Sequence, residues 1–496
     1  MSIEIPVSTY KDVTKEQTLQ NPLARLVPGQ RIVEIPEYAL ECGEVLTNFP
    51  VAYKTWGKLN KDRDNVLLIC HALTGSCDVQ DWWGPLLGTE KTFDPSRFFI
   101  ICINFLGSPY GSVSPLTIDK ATGKPYGPLF PLVTVKDDVG VQKLVLDSLG
   151  INSIACVIGG SMGGMITLEF SSTFNGSGYI KSIIALATAA RASAWCISWN
   201  ETQRQSIFSD PYYDDGYYYE SGNSPNSGLS AARMAALLTY RSRNSFETRF
   251  GRKLPSSSSS LSSSVTESRI YPKTNEEENW LAHNEGSTRA RSGTANGTIT
   301  NGTAATNGTT NGTTSNGNNA GSSTTINKPQ TYFTAQSYLR YQGNKFIKRF
   351  DANCYISISR KLDTHDITRG KVDFDQVGNQ DPLPSYLKTL SLPHLIIGIT
   401  SDGLFTFGEQ QLLGDCIPDS ELHKLNSPEG HDAFLLEFET IDKLCLDFLN
   451  RKLGEYYDPT SEKYIDFPDW PKYVDTVVDN GGESVFGEVE KNITNW

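Results

Sequence analysis

Long hydrophobic stretches are missing from this sequence, and no run approaches the ~20 apolar residues that a membrane-spanning helix needs. Basic clusters are missing too. The 44 lysines and arginines are outnumbered by 56 aspartates and glutamates, for a net charge of −12. They nowhere form a long stripe, which argues against nucleic acid as the main partner. The opening residues, MSIEIPVSTYKDVTKEQ, have neither the basic start nor the apolar run of a secretory signal. Cysteine is sparse: nine residues, odd in number and scattered, with Cys70, Cys102 and Cys156 inside apolar runs. That is how reduced core cysteines sit, and neither a disulfide framework nor a CxxC metal site is expected. These absences predict a soluble cytoplasmic chain with no membrane partner and no bound metal.

What is present is an alternation of strand and helix signals. The chain has 496 residues, more than one small core requires. Val66–Cys70, Phe98–Ile103, Ile154–Ile158 and, far downstream, Leu395–Thr400 read as buried strands. A helical pattern, Val139–Leu149, ends at Gly150 between two of them. Continuous apolar strands alternating with helices predict an α/β chain with a mostly parallel sheet covered on both faces.

Residues from about 190 to 385 differ, with helix-like stretches such as Gly228–Arg243 and Gln336–Phe350 but no comparable strand. Within them, 255–328 is of low complexity: the serine run Ser256–Ser260, then repeated Asn-Gly-Thr. Such a composition buries too little apolar surface to offset chain entropy, so disorder is expected there. Its Asn-X-Thr sequons at Asn296, Asn301, Asn307 and Asn311 read as repeat expansion, not glycan sites. The resulting division is a core of 1–188 and 388–496, with 189–387 as a helical lid mounted above the strand ends.

Residues 159–164 read Gly-Gly-Ser-Met-Gly-Gly, directly after an apolar strand and directly before a helical pattern. Strand, G-x-S-x-G and helix in that order form the nucleophile elbow of α/β-hydrolase-type enzymes. The turn is too tight for side chains at its flanks, and it exposes the Ser161 hydroxyl at a helix N-terminus. There the Met162 N–H can point at a developing oxyanion. A phosphate-binding loop is the alternative, but no GxxxxGK[ST] accompanies the turn.

Serine is a weak nucleophile unless a base takes its proton and an acid orients that base. In this fold the chain order is Ser, then Asp or Glu, then His. Only six histidines exist. His71 precedes the serine, His283 adjoins the low-complexity sequence, His365 lies in the insertion, and His394 opens a strand. His423 stays in play, although it sits in the polar, strand-like Glu421–Leu425. His431, on a glycine turn before an apolar helix start, suits a base best, and Asp402 follows the Leu395–Thr400 strand as its acid. A second oxyanion donor should come from the loop after an early strand, His71-Ala72-Leu73-Thr74-Gly75, and the Leu73 N–H is the candidate.

Several separated motifs carry a closer likeness. His71–Ser76, Gly159–Gly164, Tyr338–Asp351 and Gly430-His431-Asp432-Ala433-Phe434-Leu435 resemble homoserine O-acetyltransferase in its fungal form, across nearly the whole chain except 255–328 and the extreme ends. The resemblance implies acetyl transfer from acetyl-CoA to L-homoserine through an acetyl-serine, a step toward methionine, with no tightly bound cofactor. It also suggests a homodimer formed through the lid. Homoserine carries an ammonium and a carboxylate, so its pocket wants one fixed anion and one fixed cation. Asp432, beside His431, is the candidate for the ammonium. Arg233 and Tyr240, seven apart and so on one helix face, are implied to line the channel, Arg233 gripping the carboxylate. Spacing alone leaves other readings open: a succinyl donor, serine as acceptor, an esterase or thioesterase, or a non-catalytic binding protein of the same fold.

Overall fold

The computed structural model describes residues 6–253, 274–284, 333–372 and 381–473. Nine strands form one sheet: β1 (Lys11–Asp12), β2 (Arg31–Ala39), β3 (Val45–Trp56), β4 (Val66–Cys70), β5 (Phe99–Ile103), β6 (Ile154–Gly160), β7 (Ile180–Leu186), β8 (His394–Ile399) and β9 (Ser420–Leu425). Their order across the sheet is β1-β2-β3-β5-β4-β6-β7-β8-β9. The β1, β2, β3 and β5 neighbours pair antiparallel, and every pair from β5 to β9 is parallel.

Burial explains the parallel part. Every residue of β4, β5, β6 and β8 is buried, because helices cover both faces of a sheet joined by crossovers. The helix Val135–Ser148 crosses from β5 to β6, starting four residues before the predicted stretch. A capping box there pairs the Thr134 side chain with the Asp137 N–H and the Asp137 carboxylate with the Thr134 N–H. Met162–Thr173 and Phe407–Cys416 make the next crossovers on the chain's way to β7 and β9.

Between β7 and β8 the described residues hold helices and no strand. Ala194–Phe208, Asn226–Tyr240, Arg243–Phe250, Thr334–Phe346 and Ala352–Asp363 are the principal ones. Most of 255–328 lies outside the described residues. The part inside, 274–284, is not the featureless chain expected there: Asn275–His283 is a helix. Glu276 suits the positive end of a helix, and Trp280 sets the segment apart from the Asn-Gly-Thr repeats.

The last of the principal helices is fastened to the core by a buried ion pair. Lys361 Nζ lies 2.6 Å from Asp138 Oδ2, both side chains are 0% exposed, and the ammonium also donates to the Leu106 carbonyl at 2.6 Å. Asp138 Oδ1 accepts from the Leu106 N–H at 2.9 Å, so the pair grips one residue of the β5 exit by both its backbone groups. Burial pushes the Asp138 carboxyl up to about 6, with the Lys361 charge pulling against it. Lys361→Met leaves that carboxylate without its partner and is expected to cost about 3–5 kcal/mol. Adding Asp138→Asn should recover most of the loss in denaturant unfolding, and full stability in the single variant would contradict this reading.

Candidate active site

The parallel strands all finish on one edge of the sheet, and the candidate residues stand just beyond three of those ends. Ser161 follows β6, Asp402 comes three residues after β8, and His431 six residues after β9. Ser161 has φ +60° and ψ −127°, a conformation that L side chains rarely adopt. It is held there from the β7 side: its N–H donates to the Leu186 carbonyl at 3.0 Å, and Thr188 Oγ1 donates to its carbonyl at 2.8 Å.

The flanking glycines are required by their neighbours. A Cβ on Gly163 would sit 2.0 Å from the Cys70 carbonyl oxygen, and one on Gly159 would sit 2.4 Å from the Gly163 oxygen. The turn therefore lies directly against the chain leaving β4, which begins the His71–Gly75 loop. That contact puts Cys70 and His71 beside the elbow, two residues before Leu73, while Met162 opens the following helix, whose first amides have no intrahelical acceptor.

Three side chains form one hydrogen-bonded chain. Ser161 Oγ is 2.8 Å from His431 Nε2, and His431 Nδ1 is 2.7 Å from Asp402 Oδ2. With Nδ1–H donating to the carboxylate, the neutral ring offers Nε2 as the acceptor for the serine hydroxyl. Asp402 is itself fixed, since its Oδ1 accepts the N–H groups of Leu404 and Phe405 at 2.8 and 3.0 Å. The rings of Phe405 and Phe434 stand edge-on to the imidazole at 5.4 Å, and Tyr240 lies at 6.0 Å. Solvent has little access: Ser161 is 7% exposed and His431 3%.

The other histidines are elsewhere. His423 lies on β9, outside this hydrogen-bonded chain. His394 opens β8 and bonds Ser171 and the Leu392 carbonyl. His71 stacks on Phe105 at 4.3 Å, and burial lowers its ring to about 4, so it stays neutral. Beside Asp402, burial pushes the Glu409 carboxyl up to about 7, helped by the Asp402 charge and opposed by the Ser193 hydroxyl.

Arg233 and Tyr240 share a helix face as their spacing predicts. Arg233 is only 1% exposed, with its guanidinium carbon 5.6 Å from the Tyr240 ring and 4.9 Å from the Phe346 ring. Asp432 is buried next to His431 in the chain, but its Oδ2 lies 2.9 Å from Arg241 Nε. A ligand ammonium would thus meet a carboxylate that already has a cation. Asp432 does not cap the short helix that follows it.

Sequence reasoning missed Arg349, which is buried and donates to the Thr74 carbonyl and the Tyr110 hydroxyl, both at 3.1 Å. Its segment, Tyr338–Asp351, stood out only by resemblance, and no spacing rule distinguishes this arginine from its neighbours. Among the described residues, no group of histidine, cysteine, aspartate and glutamate side chains is arranged to hold a metal ion. Nor is any described helix long and apolar enough to cross a membrane.

A strand-ended serine elbow with histidine and aspartate on later loops is the arrangement of the alpha/beta hydrolase fold, and the family model of that name matches residues 65–438. Over its full length the chain is 55% identical to the homoserine O-acetyltransferase of Saccharomyces cerevisiae, with 100% of both chains covered. It is 45% identical to that of Schizosaccharomyces pombe, again with 100% of both covered. The chain belongs to the homoserine O-acetyltransferase family. The solved homoserine O-acetyltransferase of Bacillus anthracis has the same fold, with TM-score 0.62 and 20% identity over 85% of this chain and 97% of that one. An acetylester hydrolase from Corynebacterium glutamicum shares it too, at TM-score 0.59 and 21% identity over 84% and 95%.

The elbow's packing generates a test. In Gly163→Ala the new methyl meets backbone atoms that cannot rotate away, so the serine helix must shift from the β4 exit. A loss of about 1–3 kcal/mol is expected, with acylation slowed about 10²-fold for a displacement near 1 Å. Unfolding and pre-steady-state thiol release measure the two effects, and wild-type values in both would refute the packing argument.

Proposed function

We propose that this chain transfers an acetyl group from acetyl-CoA to the hydroxyl of L-homoserine, a step of methionine biosynthesis. Ser161, His431 and Asp402 act as nucleophile, base and orienting acid. One observation carries the proposal: the Ser161–His431–Asp402 hydrogen-bond chain, 2.8 and 2.7 Å long, in a full-length member of this family.

In the first half, His431 Nε2 takes the proton of Ser161 as Oγ attacks the thioester carbonyl. The oxyanion that forms is met by the N–H groups of Met162 and Leu73, a contribution typically of ~10²–10³ in rate per donor. The carbon–sulfur bond then breaks, and coenzyme A leaves with the proton from His431. In the second half, His431 takes the proton of the homoserine hydroxyl, whose oxygen attacks the acetyl-serine. The ester bond to Ser161 breaks, and Oγ regains its proton from the imidazolium.

Selection of the acceptor falls to the helices between β7 and β8. Arg233 offers a planar fork for the homoserine carboxylate, and its burial between two rings supports that role. Asp432 is assigned to the ammonium, with Arg241 as its resting partner. Those helices also serve as the lid that keeps water from the acetyl-serine. In support of that, the Asn226–Tyr240 helix packs against both the Gly430–Asp432 turn and the Thr334–Phe346 helix.

Following free thiol after mixing acetyl-CoA with homoserine, serine or water tests the whole scheme. Homoserine-dependent turnover is expected, and it should vanish in Ser161→Ala. Equal release without any amino acid would make the chain a thioesterase, and no release at all would make it a binding protein. Arg233→Ala should raise the homoserine KM by about 10-fold or more, the order of a lost charged hydrogen bond. An unchanged KM would remove Arg233 from the carboxylate site.

A further inference from the structure

From the core, the turn that carries His431 is held by Ser161, Asp402, the Phe405 ring and Ser401, whose Oγ donates to the Ser427 carbonyl at 2.5 Å and accepts the Gly430 N–H at 3.0 Å. Its other side is bound to the corner where the Asn226–Tyr240 helix ends. Tyr240 closes that helix, and Arg241 is extended, at φ −101° and ψ 145°, so the chain turns before Arg243–Phe250 begins.

Residue after residue of the His431 turn meets this corner. Ser242 Oγ donates to the Pro428 carbonyl. Glu429 Oε2 accepts from Arg241 Nη1 at 2.6 Å, from Ser245 Oγ at 2.8 Å and from Arg249 Nη2 at 2.8 Å. Gly430 has φ +74°, and a Cβ there would stand 2.5 Å from the Ser242 nitrogen. Asp432 Oδ2 lies 2.9 Å from Arg241 Nε. The Arg241 side chain is 3% exposed, so the guanidinium does this work away from solvent screening.

We propose that Arg241 is a positioning residue for the transfer reaction. By binding Glu429 and Asp432, on either side of Gly430-His431, it holds the imidazole in line with Ser161. This inference rests on the reading of His431 as the base. The chemistry of the group matters as much as its charge. A guanidinium presents Nε and Nη1 in a rigid plane and can bridge two carboxylates at once. A lysine ammonium carries the same charge at one point and cannot hold both in that geometry. Arg241 also offsets two carboxylates that would otherwise flank the imidazole. Asp402 then remains the carboxylate hydrogen-bonded to the ring, the one that must stabilise the imidazolium. The helical insertion thus takes part in the chemistry through the base, in addition to contacting substrate.

Single-turnover acetylation by acetyl-CoA, without homoserine, isolates this effect from any role of Asp432 in acceptor binding. Arg241→Met is expected to acetylate Ser161 about 10²-fold more slowly, the order of a misplacement near 1 Å. The acetyl-CoA concentration at half-saturation should move by no more than about twofold, since binding is not what is lost. Arg241→Lys should recover part of the rate, and Glu429→Gln should show the same split at smaller size. A loss of melting temperature alone, with wild-type acetylation, would make Arg241 merely structural and overturn the proposal. Should Arg241→Met fail to fold, wild-type rates in both Arg241→Lys and Glu429→Gln would overturn it equally. His431→Ala, run alongside, separates the two levels. An inert His431→Ala beside a normal Arg241→Met refutes only the positioning role, whereas an active His431→Ala refutes the reading beneath it.

Discussion

Ser161 sits at φ +60° without being a glycine, and the site is built around keeping it there. Holding an L residue in such a conformation costs of order 1–3 kcal/mol, and it persists only where the surroundings over-determine it. Here they do so from several directions. The Leu186 carbonyl and the Thr188 hydroxyl hold the serine backbone from β7. The Cys70 carbonyl presses on Gly163 from the end of β4, and the Phe434 ring covers Gly160, where a Cβ would be 2.5 Å away. All of these contacts depend on the parallel register, in which Cys70 lies opposite Gly159 and Gly159 opposite Ala185. Slipping any of these strands would remove the support on which the strained turn rests. The sheet is therefore the part of the molecule that sets the serine, and the helices are free to set other things.

That division runs through the rest of the site. Ser161 and Asp402 hang from strand ends and owe their places to the core. Arg233 and Tyr240 belong to a helix of the insertion and owe theirs to helix packing. His431 sits between the two sets, in contact with Asp402 on one side and with Tyr240 on the other. The fold is shared with an acetylester hydrolase at TM-score 0.59, so the architecture alone does not choose between water and an amino acid as acceptor. The choice has to be made by particular side chains, not by the fold.

The legible parts of the chain were those with strong local signals. Val66–Cys70, Ile154–Ile158 and the Leu395–Ile399 part of Leu395–Thr400 are short runs without a charged or hydroxyl side chain because both faces are covered, and each stood out in the sequence for that reason. The glycine-flanked serine was legible because only a crowded turn needs such a sequence. Asp402 and His431 followed from chain order and loop position, with the six histidines leaving few choices. β2 passed unread because Glu34 and Glu37 mix with its buried apolar residues, and β3 because Asn48, Pro50 and Lys54 break up its apolar run although most of it is buried. β7 passed unread because Lys181 and Ser182 interrupt its apolar run. The pairing of Asp432 with Arg241 was beyond reach, since it joins residues 191 positions apart through a helix corner that no local pattern encodes. The same is true of Arg349 on the Thr74 carbonyl.

How a serine acyl-enzyme avoids hydrolysis then becomes a question about what water lacks. Burial of the triad slows the entry of water but does not abolish it, because a water molecule is smaller than any acceptor. Homoserine differs from water in bringing two charges that must be matched before its hydroxyl reaches His431. Arg233, as the proposed carboxylate partner, supplies one match from a face shielded by Tyr240 and Phe346. Binding energy taken from those remote charges can be spent on orienting the hydroxyl. Water offers no such energy. Discrimination then comes from requiring a charged ligand to complete the site, and a site with fixed polar groups rejects a ligand lacking the complement far better than an apolar pocket rejects a smaller one. Arg233 and Tyr240, which borders His431, stand on one helix whose end packs against the His431 turn, so the proposed charge recognition and the proposed base share one support.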